Sequence, residues 1–258
     1  MPRTAQPRRH RGPRHQSSRS SPLQTTVAAD VLFCYLSEHV GPFVQQLSVW
    51  ALPVLAAIIL HEIAHGVVAD RLGDSTAKDA GRLTLNPIPH IDPFGTVLLP
   101  LLLIAAHSPF LFGYARPVPV NFSRLRHPKS DMILVAAAGP LTNITLAVIS
   151  AAVFKWILHL QLPANGAWTG ALVAGLTPAA MMARNSVIFN VVLAVFNLLP
   201  ILPLDGGRVL TGLLPLRQAI AFSRLERYGM MIVLLLMMTN VLGRVIGPVV
   251  NVFLRVLL

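Results

Sequence analysis

The chain has 258 residues, 54% of them hydrophobic and 12% charged, with a mean hydropathy of +0.63, a composition that excludes an ordinary soluble domain and predicts an all-α polytopic membrane protein. The net charge of +11 does not indicate a nucleic-acid partner, because the basic residues lie between apolar stretches, as in the cytoplasmic loops of membrane proteins. The single cysteine, Cys34, excludes an internal disulfide framework and a thiolate-rich zinc site.

The first 46 residues differ in composition from the rest of the chain. Residues 1–22 contain six arginines, no acidic residue and many prolines and serines, which predicts a disordered tail. Residues 27–44 are mildly apolar but carry charged residues and a proline, which favours a short interfacial helix. We therefore predict a tail with an interfacial segment over 1–46 and a membrane-embedded domain over 47–258.

The membrane-embedded domain contains six apolar stretches: Leu47–Ala69, Phe94–Phe112, Met132–Leu160, Ser186–Leu202, Tyr228–Leu242 and Val245–Leu258. Residues 70–92 are polar and rich in turn-forming residues, and residues 161–185 are weakly polar, so we interpret both as connections. Residues 113–131 are basic, and the prolines within Gly113–Asn121 suit an edge strand.

The first apolar stretch ends in the motif H-E-x-x-H, as His61-Glu62-Ile63-Ala64-His65. On a helix the two histidines are four residues apart and share one face, so both can reach one Zn²⁺ at roughly 2.0–2.1 Å. Glu62 stands where this motif places the general base that activates water. Ionisable side chains at membrane depth are costly unless they function or are paired, so the apolar surroundings support this interpretation.

A catalytic zinc site of this kind needs a third protein ligand, for which the candidates are Asp205, Asp92 and His90. Asp205 is favoured because it follows two prolines, which unwind a helix end, and precedes two glycines, which let backbone come close. A carboxylate at that depth also needs a cation, so we predict one zinc per chain. Asp92 and His90 are otherwise interpreted as part of a turn or as residues that orient the ligands.

H-E-x-x-H on one helix and Leu204–Gly207 (L-D-G-G) after a later one resemble the paired signatures of the site-2 protease family of intramembrane zinc metalloproteases. Gly139–Asn143 resembles the G-P-x-x-N element of the intervening helix, and Asn86–Pro93 with Gly113–Pro119 look like the short bacterial branch. The resemblance covers roughly residues 47–245. It implies a site-2-protease-like helical core, and we expect neither a PDZ insertion nor a C-terminal regulatory domain.

The resemblance also implies the roles of individual residues. His61, His65 and Asp205 are the implied zinc ligands, Glu62 the implied catalytic base, and Asn143 an implied catalytic residue that positions substrate or stabilises an oxyanion. For Asn143 an interhelical hydrogen bond is an equally open interpretation. The implied activity is that of an intramembrane zinc endopeptidase, which hydrolyses peptide bonds in or near transmembrane segments of membrane proteins.

A membrane helix must unwind before its peptide bonds can be cleaved, or present an extended segment to an edge strand of the enzyme. Our candidate for that strand is Tyr114–Asn121, with Tyr114, Val118 and Val120 as substrate-binding residues. The expected partners are a membrane-protein substrate and the lipid bilayer. Two alternatives stay open: a membrane-bound zinc protease that acts on soluble or unfolded chains, and an inactive scaffold that retains the fold.

The direction of the helices follows from the position of the predicted ligands. For these to meet, the first and fourth apolar stretches must run in the same direction and the third in the opposite one. Residues 70–82 and 206–227 hold seven basic residues and residues 161–183 hold none, so we expect the active site toward the cytoplasmic side of a bacterial cell membrane.

This arrangement places both ends of Phe94–Phe112 on one side of the membrane. We therefore predict a re-entrant hairpin, which enters as a short helix, turns near His107-Ser108-Pro109 and returns as the Gly113–Asn121 strand beside the zinc. Irregular backbone is tolerated at membrane depth where protein covers it or where it lines a cavity.

Overall fold

The computed structural model describes residues 22–107, 113–160 and 169–258, and within these residues there is no strand. The described α-helices are α1 (Pro22–Arg71), α2 (Thr76–Asp79), α3 (Leu99–Ala105), α4 (Pro128–His159), α5 (Thr169–Asn197), α6 (Asp205–Leu213), α7 (Leu216–Ser223), α8 (Glu226–Met238) and α9 (Val241–Leu257). A π-helical turn, Pro93–Leu98, leads directly into α3, and 3₁₀ turns occur at Ile88–His90 and Phe122–Arg124. The all-α class is thus confirmed.

The chain divides into two compact units, Met1–Gln46 and Leu47–Leu258, at the point where its composition changes. In the first unit the structure describes helical backbone from Pro22 onward, which includes the segment 27–44. The predicted disordered tail lies almost entirely outside the described residues. Every residue of the site described below belongs to the second unit.

Among the described residues, three helical segments are long and apolar enough to cross a membrane: Ser48–Arg71, Pro128–His159 and Gly175–Asn197. They match the first, third and fourth apolar stretches of the sequence. Helices α8 and α9 are bent by 79° at the break between them, and together they have the length and composition of a broken span or of a re-entrant loop. The chain is therefore an all-helical polytopic membrane protein.

The interpretation of residues 161–185 as a connection was wrong in part. The weakly polar segment 161–185 is not a connection over its second half, because α5 already begins at Thr169. Residues 169–183 carry no charge, so nothing in their composition prevents them from continuing the apolar helix. Residues 161–168 lie outside the described part of the chain.

Helix α4 occupies the centre of the second unit, where it packs against α5 and α6. One buried cluster joins α4, α5 and α9 through small and β-branched side chains: Ala147, Ala151, Val187, Val191 and Val250. Small side chains allow membrane helices to approach closely, which explains why this contact is built from alanine and valine. A second cluster joins the end of α1 to α4 through Ala69, Leu125 and Val135.

Helices α1 and α4 run in opposite directions. His61 and then His65 of α1 bond to Asn143 and then Val135 of α4, so residue numbers rise along one helix as they fall along the other. This confirms the predicted relative direction of the first and third apolar stretches.

The second apolar stretch forms a short helix and then reverses. Its helical part, Pro93–Ala105, is shorter than the roughly 20 residues that a membrane crossing needs. The chain then returns, because the Tyr114 amide donates to the Gly95 carbonyl at 3.1 Å and the Arg116 amide donates to the His90 carbonyl at 2.9 Å. At the start of the predicted turn, His107 has a φ of +50°. The rest of that prediction, over residues 108–112, lies outside the described part of the chain.

The returning segment 113–121 is not the predicted edge strand but an irregular loop. No described strand lies beside it, so its amides bond singly to partners in different places. The Val118 amide donates to the Glu62 carboxylate and the Asn121 amide to the Asp74 carboxylate. The two prolines remove further donors that a β-ladder would use. We call this segment the 113–121 loop.

Candidate metal centre

Three side chains meet where α1, α4 and the start of α6 come together. The Nε2 atoms of His61 and His65 are 3.0 Å apart, and Asp205 Oδ2 lies 3.2 Å from the first and 3.4 Å from the second. Among the described residues, these three form the one group of His, Cys, Asp and Glu side chains that is compact enough to hold a metal ion. The structure therefore brings the H-E-x-x-H histidines together with the favoured third candidate.

The protonation of His65 follows from its neighbour on α4. His65 Nδ1 lies 2.7 Å from the Val135 carbonyl oxygen. A carbonyl oxygen can only accept, so His65 Nδ1 carries the proton. In a neutral imidazole the other nitrogen then has a free lone pair, so His65 Nε2 faces His61 and Asp205 as an acceptor.

His61 is oriented in the same way, through the amide of Asn143. Asn143 Nδ2 donates to the Ala57 carbonyl at 3.2 Å and to Asn190 Oδ1 at 2.8 Å. The Ala57 carbonyl can only accept, so Nδ2 of Asn143 must face it. Oδ1 of Asn143 then faces His61 Nδ1 at 2.6 Å. The proton therefore lies on His61 Nδ1, and His61 Nε2 is left as an acceptor.

This arrangement differs from the oxyanion role predicted for Asn143. The side chain is fully buried, and both hydrogens of its amide already have partners inside the protein. No donor is left for a substrate oxygen, so the oxyanion interpretation is wrong for this conformation. The alternative interpretation, an interhelical hydrogen bond, describes what is found, and the bond reaches a proposed metal ligand.

The three converging atoms fit a cation. Two imidazole lone pairs and a carboxylate oxygen point at one place, and Asp205 Oδ2 is buried without a hydrogen-bond partner among the described residues. Gly139 of α4 keeps the place open, because a Cβ at this position would lie 2.4 Å from His65 Nε2. Such a set is repulsive without a positive charge, and two histidines with one carboxylate are a common ligand set for catalytic zinc.

Asp205 reaches the site from an unwound segment. Helix α5 ends at Asn197 and α6 begins at Asp205 itself, so the residue starts the next helix and does not end the preceding one. The backbone around it is tightly packed, since a Cβ on Gly206 would lie 2.2 Å from the Leu198 carbonyl oxygen. The prolines and glycines that favoured Asp205 in the sequence therefore do shape its approach to the histidines.

Glu62 belongs to a different set of contacts. Its carboxylate accepts a hydrogen bond from the Val118 amide at 2.8 Å, and it lines a cavity of about 210 Å³ together with His61. The predicted base is thus beside the ligands but is held by the 113–121 loop.

Two buried charged residues fix that loop. Asp74, directly after α1, accepts from the Asn121 amide at 2.6 Å and from the amide and hydroxyl of Thr76. Burial raises the pKa of Asp74, but these hydrogen bonds outweigh it and hold the pKa below its usual value of 3.8. At the other end of the loop, the Arg82 guanidinium donates to the Arg116 carbonyl at 2.8 Å. The position of the Val118 amide thus depends on both ends of the loop.

Of the three predicted substrate-binding residues, one lines the cavity beside Glu62. Tyr114 does so, and it is partly exposed. The Val118 side chain is buried, and its Cγ1 would lie 3.0 Å from a Cβ on Gly66, so it packs on α1. Val120 packs against the cluster around Leu125. The prediction for Val118 and Val120 needs correction, because the loop is not a strand and its side chains do not alternate toward the site.

The two other candidates for the third ligand have different partners. Asp92 caps the π-helical turn, because its Oδ1 accepts from the amides of Phe94 and Gly95. His90 Nε2 lies 3.0 Å from the Thr84 carbonyl oxygen. Asp92 therefore stabilises a turn, as its alternative interpretation held.

Three residues with contacts to the site were not singled out in the sequence. Asn190 bonds to Asn143, and an amide inside an apolar helix is itself a signal for such an interhelical bond. Asp74 and Arg82 gave no comparable signal, because both lie in a polar connection where charged residues are ordinary. Their burial is visible only in the fold.

Comparison with known proteins gives a consistent result. The profile of peptidase family M50 matches residues 49–240. The chain is 38% identical over 198 residues to "Putative zinc metalloprotease YwhC" of Bacillus subtilis, covering 77% of this chain and 84% of that protein. It is 29% identical over 244 residues to "Putative zinc metalloprotease Rip2" of Mycolicibacterium smegmatis, covering 90% and 85%. No solved structure matches the chain.

Proposed function

The chain belongs to peptidase family M50, the site-2 protease family, and from this premise we propose that it is a zinc endopeptidase that cleaves membrane proteins within or next to their transmembrane segments. The observation that carries the proposal is the meeting of His61, His65 and Asp205 beside Glu62 and next to three apolar helices. A protease that acts on soluble proteins does not require apolar helices beside its metal ligands.

His61, His65 and Asp205 would hold one zinc ion in this proposal. Bound there, zinc would supply a Lewis acid for the substrate carbonyl and would lower the pKa of the attacking water to near 7. Glu62 takes the proton from the attacking water and returns it to the leaving amine. The Val118 amide holds the Glu62 carboxylate at the edge of the cavity that receives the substrate.

Asn143 and the Val135 carbonyl act through the ligands. Both fix the proton of a histidine on Nδ1 and so leave Nε2 available for the metal. The buried chain of amides and hydroxyls behind Asn143 continues to Asn190 and Ser186, which holds the orientation in place.

The active site faces the cytoplasmic side in this proposal. The seven basic residues of segments 70–82 and 206–227 support this orientation, as does the absence of charge from residues 161–183. The substrate then enters laterally from the bilayer and unwinds in the cavity beside Glu62.

A comparison of membrane proteomes tests the function. Cells with the wild-type chain and cells with Glu62→Gln differ by a single atom exchange that removes the base. We expect at least one full-length membrane protein to accumulate in the variant, together with loss of a fragment that ends in or next to its membrane span. Accumulation of soluble proteins alone would favour the alternative protease, and identical proteomes would favour an inactive scaffold.

A further inference from the structure

A second cavity adjoins the catalytic one. It has a volume of about 430 Å³, within the range of small-molecule sites, and its walls are mostly apolar. One wall is the face of α1 from Val54 to Ile59, and the opposite wall is the face of α5 from Phe189 to Phe196. His90 closes it beside the 113–121 loop, so we call it the His90 cavity.

The two cavities share walls. Ile58, Tyr114, Phe189 and Leu193 line both of them, whereas His61 and Glu62 line only the catalytic one. A substrate chain in the catalytic cavity is therefore bordered by side chains that also line the His90 cavity.

His90, which lines this apolar space, has one ring nitrogen without a partner among the described residues. The side chain is 3% exposed, and its Nε2 donates to the Thr84 carbonyl, which can only accept. His90 Nδ1 is therefore an acceptor, and it is buried without a partner in the part of the chain that the structure describes. Buried polar groups in proteins almost always have partners, so an unused acceptor on a residue that lines a cavity calls for a donor from outside the protein.

The partition between the cavities is fixed as well. The Tyr114 ring lies directly on Gly95, where a Cβ would come within 2.4 Å of the ring. The Tyr114 amide also bonds to the Gly95 carbonyl. Tyr114 thus stands at a defined position in the wall that both cavities share.

We propose that the His90 cavity is the specificity pocket of the protease. It receives a large apolar side chain of the substrate, such as Leu, Ile, Met or Phe, next to the cleaved bond, and His90 Nδ1 accepts the backbone N–H of the same residue. An unwound substrate exposes such an N–H in apolar surroundings, where an unsatisfied donor is costly. This inference rests on the proposed function and adds its substrate class.

A randomised peptide set tests the pocket. The zinc-loaded, full-length protein in liposomes is given transmembrane peptides randomised at single positions, and mass spectrometry reads the cleaved bonds. We expect the wild type to require Leu, Ile, Met or Phe at one position beside the bond. Val54→Phe, which fills the His90 cavity alone, should lower kcat/KM for these peptides by ~10–200-fold and spare peptides with Ala there. Leu52→Phe, on the exposed face of the same helix, should change neither.

The acceptor is tested with His90→Phe and N-methylated peptides. N-methylation of the residue in the pocket should lower cleavage by the wild type about tenfold, as for the loss of one hydrogen bond in an apolar site. His90→Phe should show the same loss with the ordinary peptide and no added loss with the methylated one. If His90→Phe and N-methylation each lower the cleavage rate and their effects multiply when combined, the role of His90 is overturned.

The outcomes separate this inference from the proposed function. Cleavage with no preference at any position, or a preference that Val54→Phe leaves unchanged, overturns the pocket while the protease remains. A lipid that Val54→Phe displaces, without a change in preference, would assign the cavity to lipid and also overturn it. If no peptide is cleaved, peptides that carry photo-leucine are bound to the Glu62→Gln variant and crosslinked by light. Crosslinks to Val54 or Val192 would support the pocket, and their absence would reject it.

Discussion

The proposed zinc ligands and the proposed base are neighbours in sequence, but different parts of the fold hold them. His61 and His65 are oriented by α4, through Asn143 and the Val135 carbonyl, inside a buried helical core. Glu62 is oriented by the 113–121 loop, through the Val118 amide. One turn of α1 thus faces a rigid support on one side and a loop on the other.

The difference predicts that metal binding and catalysis can be separated by mutation. Changes in the core behind the histidines should weaken zinc binding first. Changes at the ends of the loop should leave zinc in place and slow the reaction. The loop also lines both cavities, through Tyr114, so substrate can affect the base through the loop without moving the ligands.

The largest effect should come from removing the metal. Dialysis of the purified protein against a strong chelator should abolish peptide cleavage, and one equivalent of Zn²⁺ should restore it, because Asp205 Oδ2 and both Nε2 atoms converge on the place that a cation would occupy. Metal analysis and cleavage by the same sample check this. Full activity in the metal-free sample would contradict the metal centre itself.

The next largest effect is expected at Asn143. Asn143→Ala removes the acceptor for His61 Nδ1, frees the imidazole to change tautomer, and should weaken zinc affinity by ~10–100-fold, as is usual for partners behind a metal ligand. Added zinc should restore much of the cleavage. Thr145→Ala, at an exposed position on the same helix, is the matched control. Zinc affinity is measured by competition with a chelating dye. An unchanged affinity in Asn143→Ala would show that Asn143 contributes only to helix packing.

A smaller, purely catalytic effect is expected at Asp74. Asp74→Ala frees the Asn121 end of the loop and should slow cleavage by on the order of tenfold at unchanged zinc content, because the Val118 amide no longer holds Glu62 firmly. Asp79→Ala is the control, since Asp79 is exposed and bonds to Ser75 alone. Loss of zinc from Asp74→Ala would show that the loop and the ligands are one unit.

The pH dependence of the Asp74 contact has a definite sign. Its pKa in the fold is lower than 3.8, so the ionised carboxylate contributes its full stabilisation above that pH and loses it as the pH falls through the lowered pKa. We therefore expect the ratio of wild-type to Asp74→Ala cleavage to be constant from about pH 5 to pH 8. A ratio that changes within this window would contradict an ionised Asp74.

The smallest effect on activity is expected in a test of the membrane orientation. On a Cys34→Ser background, Ser123→Cys should be shielded from an impermeant thiol reagent in intact cells, and Thr169→Cys should react. Neither position is one of the residues assigned above to the site, so activity should stay the same. Equal reaction at both positions would contradict the re-entrant hairpin and the cytoplasmic side.

The sequence predicted the meeting of His61, His65 and Asp205 better than the conformation of the 113–121 loop, and the reason is physical. H-E-x-x-H fixes its geometry within one helix, and a lone carboxylate in an apolar region requires a cation, so both signals are local. The reversal at residues 93–116 could also be predicted, from the charges on its two flanks. The 113–121 segment was misjudged as a strand because its loop conformation depends on Asp74 and Arg82, which are distant in sequence.

The separate support of ligands and base is tested most directly by measuring zinc content and peptide cleavage together in Glu62→Gln and Asp205→Ala. The account predicts about one zinc per chain and no cleavage in Glu62→Gln, and neither zinc nor cleavage in Asp205→Ala. Zinc retained in Asp205→Ala, or lost from Glu62→Gln, would contradict it.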